Sequence, residues 1–484
     1  MAYDLPAPAA GFRVRPGLAL LVLGGSIALD VSALALLNAA LPLIGQDFGI
    51  STAVLQWTMT SYAVTFAGFL LFGGRAADVL GRRLMFGVGV ALFAVAAFAG
   101  AFAPGVVVLI IARAVQGIGA ALTGPAALAL LTEVFPAGAG RDRAFAVFGS
   151  IGAASFSGGL IFGGVLTDLL SWRAVFVLSG VFGLVVLAVT KAALPPSVRH
   201  RHPLDLAGAA LVTTGMVLTV FGIGRAPESG WSNPVTIGSL VAAGVLLAGF
   251  ILREARATEP LLKLSIFRIP TVQAATLAAF LHYAAVIALL FFAPLYMQDV
   301  LGYSPLMSGL AVVPMGLTVI VSSTITGKLM PRYGTRPFLV YGMPLIAIGV
   351  LMWAFTPVNG SYLLHVLPGI VVMSIGQGTT FPALTAASLA DVPQSQHGVA
   401  GAANVTTQQI GSSVGVTALV AVAAAFTTPG LAGQLAGFHA AYIVAAAVVL
   451  IGTAGIALIL RRPSAVPGTA RAATAVPTSE VPAA

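Results

Sequence analysis

The 484-residue sequence contains no cysteine, which excludes disulfides, thiolate metal sites, iron–sulfur clusters and cysteine nucleophiles. Charge is nearly as scarce. Only 8% of residues are Asp, Glu, Lys or Arg, against roughly a quarter in a soluble globular domain, so an ordinary soluble protein is excluded too. No Gly-x4-Gly-Lys-Ser/Thr loop occurs, which argues against primary pumping driven by ATP. No His and carboxylate cluster has metal-ligand spacing, so neither a metal site nor a cofactor is expected. A nucleophile–base set for a membrane-embedded enzyme is also missing.

What is present is apolar. Hydrophobic residues make up 58% of the chain, mean hydropathy is +1.02, and there are 56 glycines, which suit close helix packing in lipid. A membrane helix needs about 20 apolar residues. Short polar breaks divide the chain into fourteen such spans, at about 17–42, 53–74, 84–103, 106–131, 144–167, 173–194, 206–224, 235–252, 271–297, 306–327, 338–356, 361–386, 398–425 and 437–460. The first run is too long for a signal-peptide core, so it is expected to stay in the protein. The Pro-, Ala- and Thr-rich tail, 461–484, reads as disordered.

The basic residues give the topology. With the N-terminus in the cytoplasm, twenty of the 23 Lys and Arg fall in inward segments: among them Arg13, Arg15, Arg75, Arg82, Arg83, Lys191, Arg199, Arg201, Lys263, Lys328, Arg461, Arg462 and Arg471. Only Arg173 and Arg225 fall outside, and Arg113 lies within a span. The positive-inside rule accounts for this bias, so both tails are cytoplasmic and the span count is even. The net charge of +9 is thus topological, and no nucleic-acid partner is implied.

The chain also repeats itself. Gly74-Arg75-Ala76-Ala77-Asp78-Val79-Leu80-Gly81-Arg82-Arg83 follows span 2, and Gly327-Lys328-Leu329-Met330-Pro331-Arg332-Tyr333-Gly334-Thr335-Arg336 follows span 10. Gly117-Ile118-Gly119 in span 4 is echoed by Gly376-Gln377-Gly378 in span 12. Two halves of six helices follow, spans 1–6 and 9–14, with spans 7 and 8 as an insert. Parallel six-helix repeats are an architecture of secondary transporters, with the substrate site between the halves. The expected division is a cytoplasmic segment 1–16, a first bundle 17–200, the insert 201–260, a second bundle 261–460 and the tail 461–484.

With these motifs in view, the chain resembles the major facilitator superfamily, in particular its fourteen-span drug:proton antiporter branch. Gly74 to Arg83 matches that superfamily's loop motif, and Leu109 to Gly119 matches the branch's span 4 motif. Leu37 to Pro42, Phe381 to Leu384 and Gln409 to Gly411 resemble further motifs of the branch. The resemblance implies an all-α membrane protein of the major facilitator fold, acting as a monomer in the bacterial cytoplasmic membrane. It would export amphipathic drugs or antibiotics in exchange for protons. Three positions depart from the pattern: Leu160 stands where span 5 usually carries proline, Ala33 where span 1 carries an acid, and Val79 where the loop carries arginine. These bear on coupling, not on the fold. An exporter or facilitator of one metabolite or lipid, and a transport-inactive sensor, remain alternatives.

Candidate residues follow from rarity. Asp30 is the only acid deep in a span and Arg113 the only base; ionisable groups in a bilayer are costly and must face a partner or water. Both are expected to serve proton coupling, with His282, which sits mid-span and can titrate near neutral pH. The bland readings are a fixed packing group for Asp30, a fastener to backbone carbonyls for Arg113, and a hydrogen-bonded packing residue for His282. Asn38, Gln56, Trp57, Tyr62, Gln116, Asn404 and Gln408 offer amides and aromatic faces for an amphipathic substrate; Trp57 and Tyr62 could instead be interface or core. Gly74, Asp78, Gly81, Arg82 and Arg83 read as an inner gate, or the arginines serve topology alone; Gly159 and Gly163 form a close-packing face in span 5, which by default only packs and in the functional version lets the halves slide.

Overall fold

The computed structural model describes residues 15–136, 138–196, 205–257, 260, 264–393 and 396–460. Arg13, Arg199, Arg201, Lys263, Arg461, Arg462, Arg471 and the tail 461–484 lie outside the described residues.

Among the described residues there are helices and no strands. Thirteen helices are long and apolar enough to cross a membrane, and a bent pair, Thr52–Leu70 with Phe72–Leu80 at 51°, makes a fourteenth. In chain order the spans are α1 Pro16–Asn38, α2 Trp57–Leu80, α3 Arg82–Ala101, α4 Val106–Val134, α5 Ala139–Leu169, α6 Trp172–Ala193, α7 Leu206–Ser229 and α8 Pro234–Arg256. They continue with α9 Pro270–Leu295, α10 Pro305–Tyr333, α11 Arg336–Met352, α12 Leu367–Ala387, α13 His397–Phe426 and α14 Leu431–Ile459. α10 is interrupted at Val312. These match the fourteen runs read from the sequence.

Local chemistry sets the helix starts. Proline, whose missing N–H costs nothing in the first turn, opens α1, α8, α9 and α10. Side chains cap others: Asp205 accepts from the Gly208 N–H before α7, Asn233 from Val235 before α8, and Ser304 from Met307 before α10. Gly81 closes α2 at φ 109° and Gly334 closes α10 at φ 71°. These are the second glycines of the two repeated loop motifs, and a side chain would be strained at either.

Packing reproduces the repeat. In the first half α4 packs on α2 and α3, α1 on α5, and α3 on α6. In the second half α12 packs on α10 and α11, α9 on α13, and α11 on α14. Glycines permit these approaches: Gly119 of α4 lies against the Gly89 carbonyl of α3, and Gly349 of α11 against the Met373 backbone of α12. The halves meet along two equivalent junctions, α2 with α13 and α5 with α10. The insert is not equivalent on the two sides. α8 packs on α7, and α7 lies across α2 and α13 together.

On the side away from the basic loops the halves are in contact. Gln298 donates to the Ala39 carbonyl at 3.0 Å, Gln46 to Asp299 Oδ1 at 3.4 Å, and Asn38 Nδ2 to the Leu290 carbonyl. On the same side Asp47, in the short helix Leu41–Phe48, accepts from Trp172 Nε1 at 3.0 Å and from Arg173 at 2.8 Å. These two donors hold the Asp47 carboxyl below its ordinary value, the Trp172 bond first. A depressed carboxyl stabilises the fold above its unfolded value, and that stability is lost as pH falls through the folded value. Because the pair is well exposed, Asp47→Asn is expected to cost less than about 1 kcal/mol at pH 7. The difference from wild type in a thermal-melt series should begin to shrink below pH ~4 and vanish only below the depressed folded value.

Candidate functional site

α1, α2 and α4 converge on Arg113. Its side chain is 1% exposed. Nε donates to the Thr58 carbonyl at 2.8 Å, one terminal nitrogen to Gln116 Oε1 at 3.0 Å, and the guanidinium carbon lies 4.6 Å from the centre of the Tyr62 ring. Nη2 is buried without a hydrogen-bond partner among the described residues. Tyr62 faces the other way as well: its hydroxyl donates to the Asp30 backbone carbonyl at 3.4 Å. Asp30 is only partly buried, and its carboxylate makes no hydrogen bond or ion pair among the described residues. Counting along the helices at 1.5 Å per residue, Asp30 and Arg113 sit at one level, roughly 10–12 Å from the ends opposite the basic loops. Two ionisable groups thus flank one aromatic ring, with a free acceptor on one side and a free donor on the other.

The backbone carbonyl under Arg113 was one of the readings for an arginine at this depth; the Tyr62 ring and the orphan Nη2 go beyond it. One turn along α1 from Asp30, Leu34 and Asn38 line a small cleft with Met59, Phe156, Leu160 and Leu290. The cleft lies between the halves. Leu160, where proline was expected, is buried here, and its carbonyl lies 2.6 Å from where a Cβ on Gly309 of α10 would stand.

The other candidates are dispersed. His282, buried in α9, shares a hydrogen bond with Thr380 of α12 through Nδ1 at 2.6 Å, within the second half. Gln56 bonds to the Ala53 carbonyl, and Trp57 packs 6.5 Å from Phe221 of α7, so this pair turns toward the insert and away from Tyr62. Asn404 and Gln408 are buried on the stripe of α13 that carries Gly411 and Gly415, which press on Phe280 and Ala284 of α9. Around the loop motif, Arg82 pairs with Asp78 at 3.3 Å and with Glu133 of α4 at 3.5 Å, and Arg83 donates to the Leu194 carbonyl at the end of α6. All these partners belong to the first half. Gly74 faces Pro125 of α4 with ordinary clearance. Gly159 and Gly163 lie against Ala35 and Leu36 of α1, while the neighbouring Gly164 lies against Pro305 of α10.

Sequence reasoning missed several members of this network. The Thr58 and Leu290 carbonyls carry no side-chain signal. Glu133 ends an apolar helix far from Arg82 in the chain and adjacent to it in space. Gln46, Gln298 and Asp299 lie in short segments on the side away from the basic loops, where polar residues look like ordinary loop.

Gly309 offers a direct test of the contact between the halves. A valine there meets backbone and cannot be relieved by a rotamer change, at a cost of about 1–3 kcal/mol. That is a shift of roughly 5- to 100-fold away from the closed arrangement. The cysteine-free chain makes the readout clean: cross-linking of a Gln46→Cys, Asp299→Cys pair should fall by that order in Gly309→Val.

Comparison with known proteins agrees with this architecture. The family model of the Major Facilitator Superfamily matches residues 23–416. The puromycin resistance protein of Streptomyces alboniger is 35% identical over 400 residues, covering 82% of this chain and 79% of that protein. The cephamycin export protein of Amycolatopsis lactamdurans is 34% identical over 429 residues, 88% of each chain. The lincomycin resistance protein of Streptomyces lincolnensis is 33% identical, covering 87% of this chain and 85% of that one. Among solved structures, a bacterial homolog of the human lysosomal transporter Spinster, inward-facing and occupied, superposes with a TM-score of 0.67 at 16% identity. It covers 92% of this chain and 97% of its own. Fourteen apolar spans, two look-alike halves and these matches lead to one assignment: the chain belongs to the major facilitator superfamily.

Proposed function

We propose that the chain is a secondary active exporter of amphipathic antibiotics or drugs, driven by protons entering in exchange. The observation that carries this reading is the Asp30–Tyr62–Arg113 arrangement: a partly buried aspartate whose carboxylate has no hydrogen bond or ion pair among the described residues, separated by one ring from a buried guanidinium with a donor left over among them. As the halves rock, water reaches the carboxylate from one side and then from the other; it either takes a proton or, by a local side-chain movement past Tyr62, pairs with Arg113, and the two options belong to different states. Named relatives that export or resist cephamycin, puromycin and lincomycin support the cargo class.

In this reading the moving bodies are 17–200 and 261–460, and the basic loops lie in the cytoplasm with both termini. The contact between halves on the opposite side then belongs to a state open inward. Asn38 and Gln116 present amides near the chamber. Arg82, Asp78, Glu133 and Arg83 hold the inner ends of the first half together, a rigid edge against which the second half can close. In the facing half His282 is held by Thr380, and Asn404 and Gln408 lie on the α13 stripe that packs on α9.

The experiment is efflux profiling in cells lacking their own exporters. Expression should lower accumulation of several unrelated amphipathic dyes and raise resistance to more than one antibiotic class, with competition between substrates. Efflux confined to a single compound would replace this reading with a dedicated exporter, and no efflux at all would contradict it.

A further inference from the structure

The two junctions between the halves are equivalent by the internal repeat, and they are finished differently. At α2–α13 the helix α7 lies over both partners. At its outer end Gly224 of α7 packs closely against Gln56, Trp57 and Thr417. In the middle, Val64 and Ala67 of α2, Val212 and Met216 of α7, and Ile410 of α13 form one apolar cluster. Toward the basic side Gly68 lies against the Thr213 backbone. The insert therefore seals this junction from one end to the other, and helical side chains of this kind leave lipid no passage.

At α5–α10 nothing comparable lies across the seam among the described residues. Close contact is concentrated at the first turns of α10, where Gly164 meets Pro305 and Gly309 meets the Leu160 carbonyl. The same stripe of α10 continues through Gly316, which is buried, to Ile320 and Thr324, which are exposed, Ile320 at 45%. On α5 the matching stripe reaches Ser150, also exposed. The seam is closed on the outer side and parts toward the basic side.

We infer that the α5–α10 seam is the entry for cargo, admitting the apolar part of an amphipathic molecule sideways from the inner leaflet, while the insert blocks the equivalent route at α2–α13. The inference rests on the export reading and adds a direction to it. It also gives the two extra helices a purpose, since they make lateral access one-sided. A molecule dissolved in the leaflet arrives already desolvated and slides its apolar end past Ile320 and Thr324, with its polar end held at the basic loops. The small residues along the outer part of the seam let the same helices close again behind it.

The absence of native cysteine supplies the test. Single cysteines at Ile320, at the partly buried Ile410 in the covered junction, and at Val444, an exposed position on α14, a helix that forms neither seam, are introduced into the full chain. Each variant is first assayed for export of Nile red, a dye that partitions into the bilayer, and then reacted with the membrane-soluble pyrene maleimide. Labelling after folding avoids assembly defects. The inference expects Ile320→Cys and Val444→Cys to label at least tenfold faster than Ile410→Cys. The adduct at Ile320 should lower Nile red export at least fivefold and the adduct at Val444 should leave it unchanged. Equal labelling at Ile410 and Ile320 in the intact chain would overturn the seal, and unchanged export with the Ile320 adduct would overturn the entry route. The labelling rates are read without transport, so a chain that exports no dye contradicts the export reading while the one-sided seal is still judged by reactivity.

Discussion

Cells carrying Asp30→Asn are expected to lose uphill drug export and to keep downhill exchange. A proton falling through about 150 mV supplies roughly 3.5 kcal/mol, enough to sustain a gradient of about 300-fold for a neutral solute exchanged one for one. Asparagine keeps the size and the hydrogen-bonding shape of the side chain but neither binds nor releases a proton. The Tyr62 hydroxyl still finds the backbone carbonyl at residue 30, so the local fold has no reason to change. The steady-state gradient should therefore collapse from that order to near unity, while counterflow of labelled drug across vesicles holding equal drug on both sides continues within about threefold of wild type. Parallel loss of both activities would make Asp30 a structural residue.

The second large effect is expected at Arg113. Lysine keeps the charge but replaces a planar fork with a single point on a flexible stem. It cannot hold the Thr58 carbonyl and Gln116 together while covering the Tyr62 ring, all of which Arg113 does at once. Each charge-assisted hydrogen bond lost in a buried place is worth about 1.5–3 kcal/mol. Arg113→Lys is therefore expected to reach the membrane in near-normal amount and to export at least ~10-fold more slowly, the lower end of one such bond's worth. Quantitative blotting of membranes beside initial export rates checks both halves of the statement. Normal export by Arg113→Lys would reduce the guanidinium to a charge without directional work.

Much of this architecture was legible in the sequence, because lipid leaves a chain few choices. Fourteen apolar runs became fourteen helices since only a helix satisfies its own backbone in hydrocarbon. The repeated loop motifs could be read because Gly81 and Gly334 hold backbone angles that other residues resist. Asp30 and Arg113 stood out by rarity, and the structure places them on either side of Tyr62, a candidate chosen for its aromatic face. What could not be read is what depends on neighbours across the bundle. Gln56 and Trp57 precede Tyr62 by about one and a half turns yet face α7, because the helix rotates them onto the junction with the insert. The Arg82 pairs with Asp78 and Glu133 stay within one half, since the tight turn at Gly81 aims the side chain at the end of α4. The covering role of the insert was invisible too, for nothing in an apolar helix announces which of two equivalent seams it will lie across.

The account depends on proton movement linked to cargo through Asp30, and substrate-evoked proton flux in sealed proteoliposomes measures that link directly. With a pH-sensitive dye trapped inside and a membrane-permeant antibiotic gradient as the only driving force, the wild type should move protons against the direction of the drug, and Asp30→Asn should move none above the leak of empty vesicles. Equal proton flux from the two proteins, or none from the wild type while drug crosses, would contradict it.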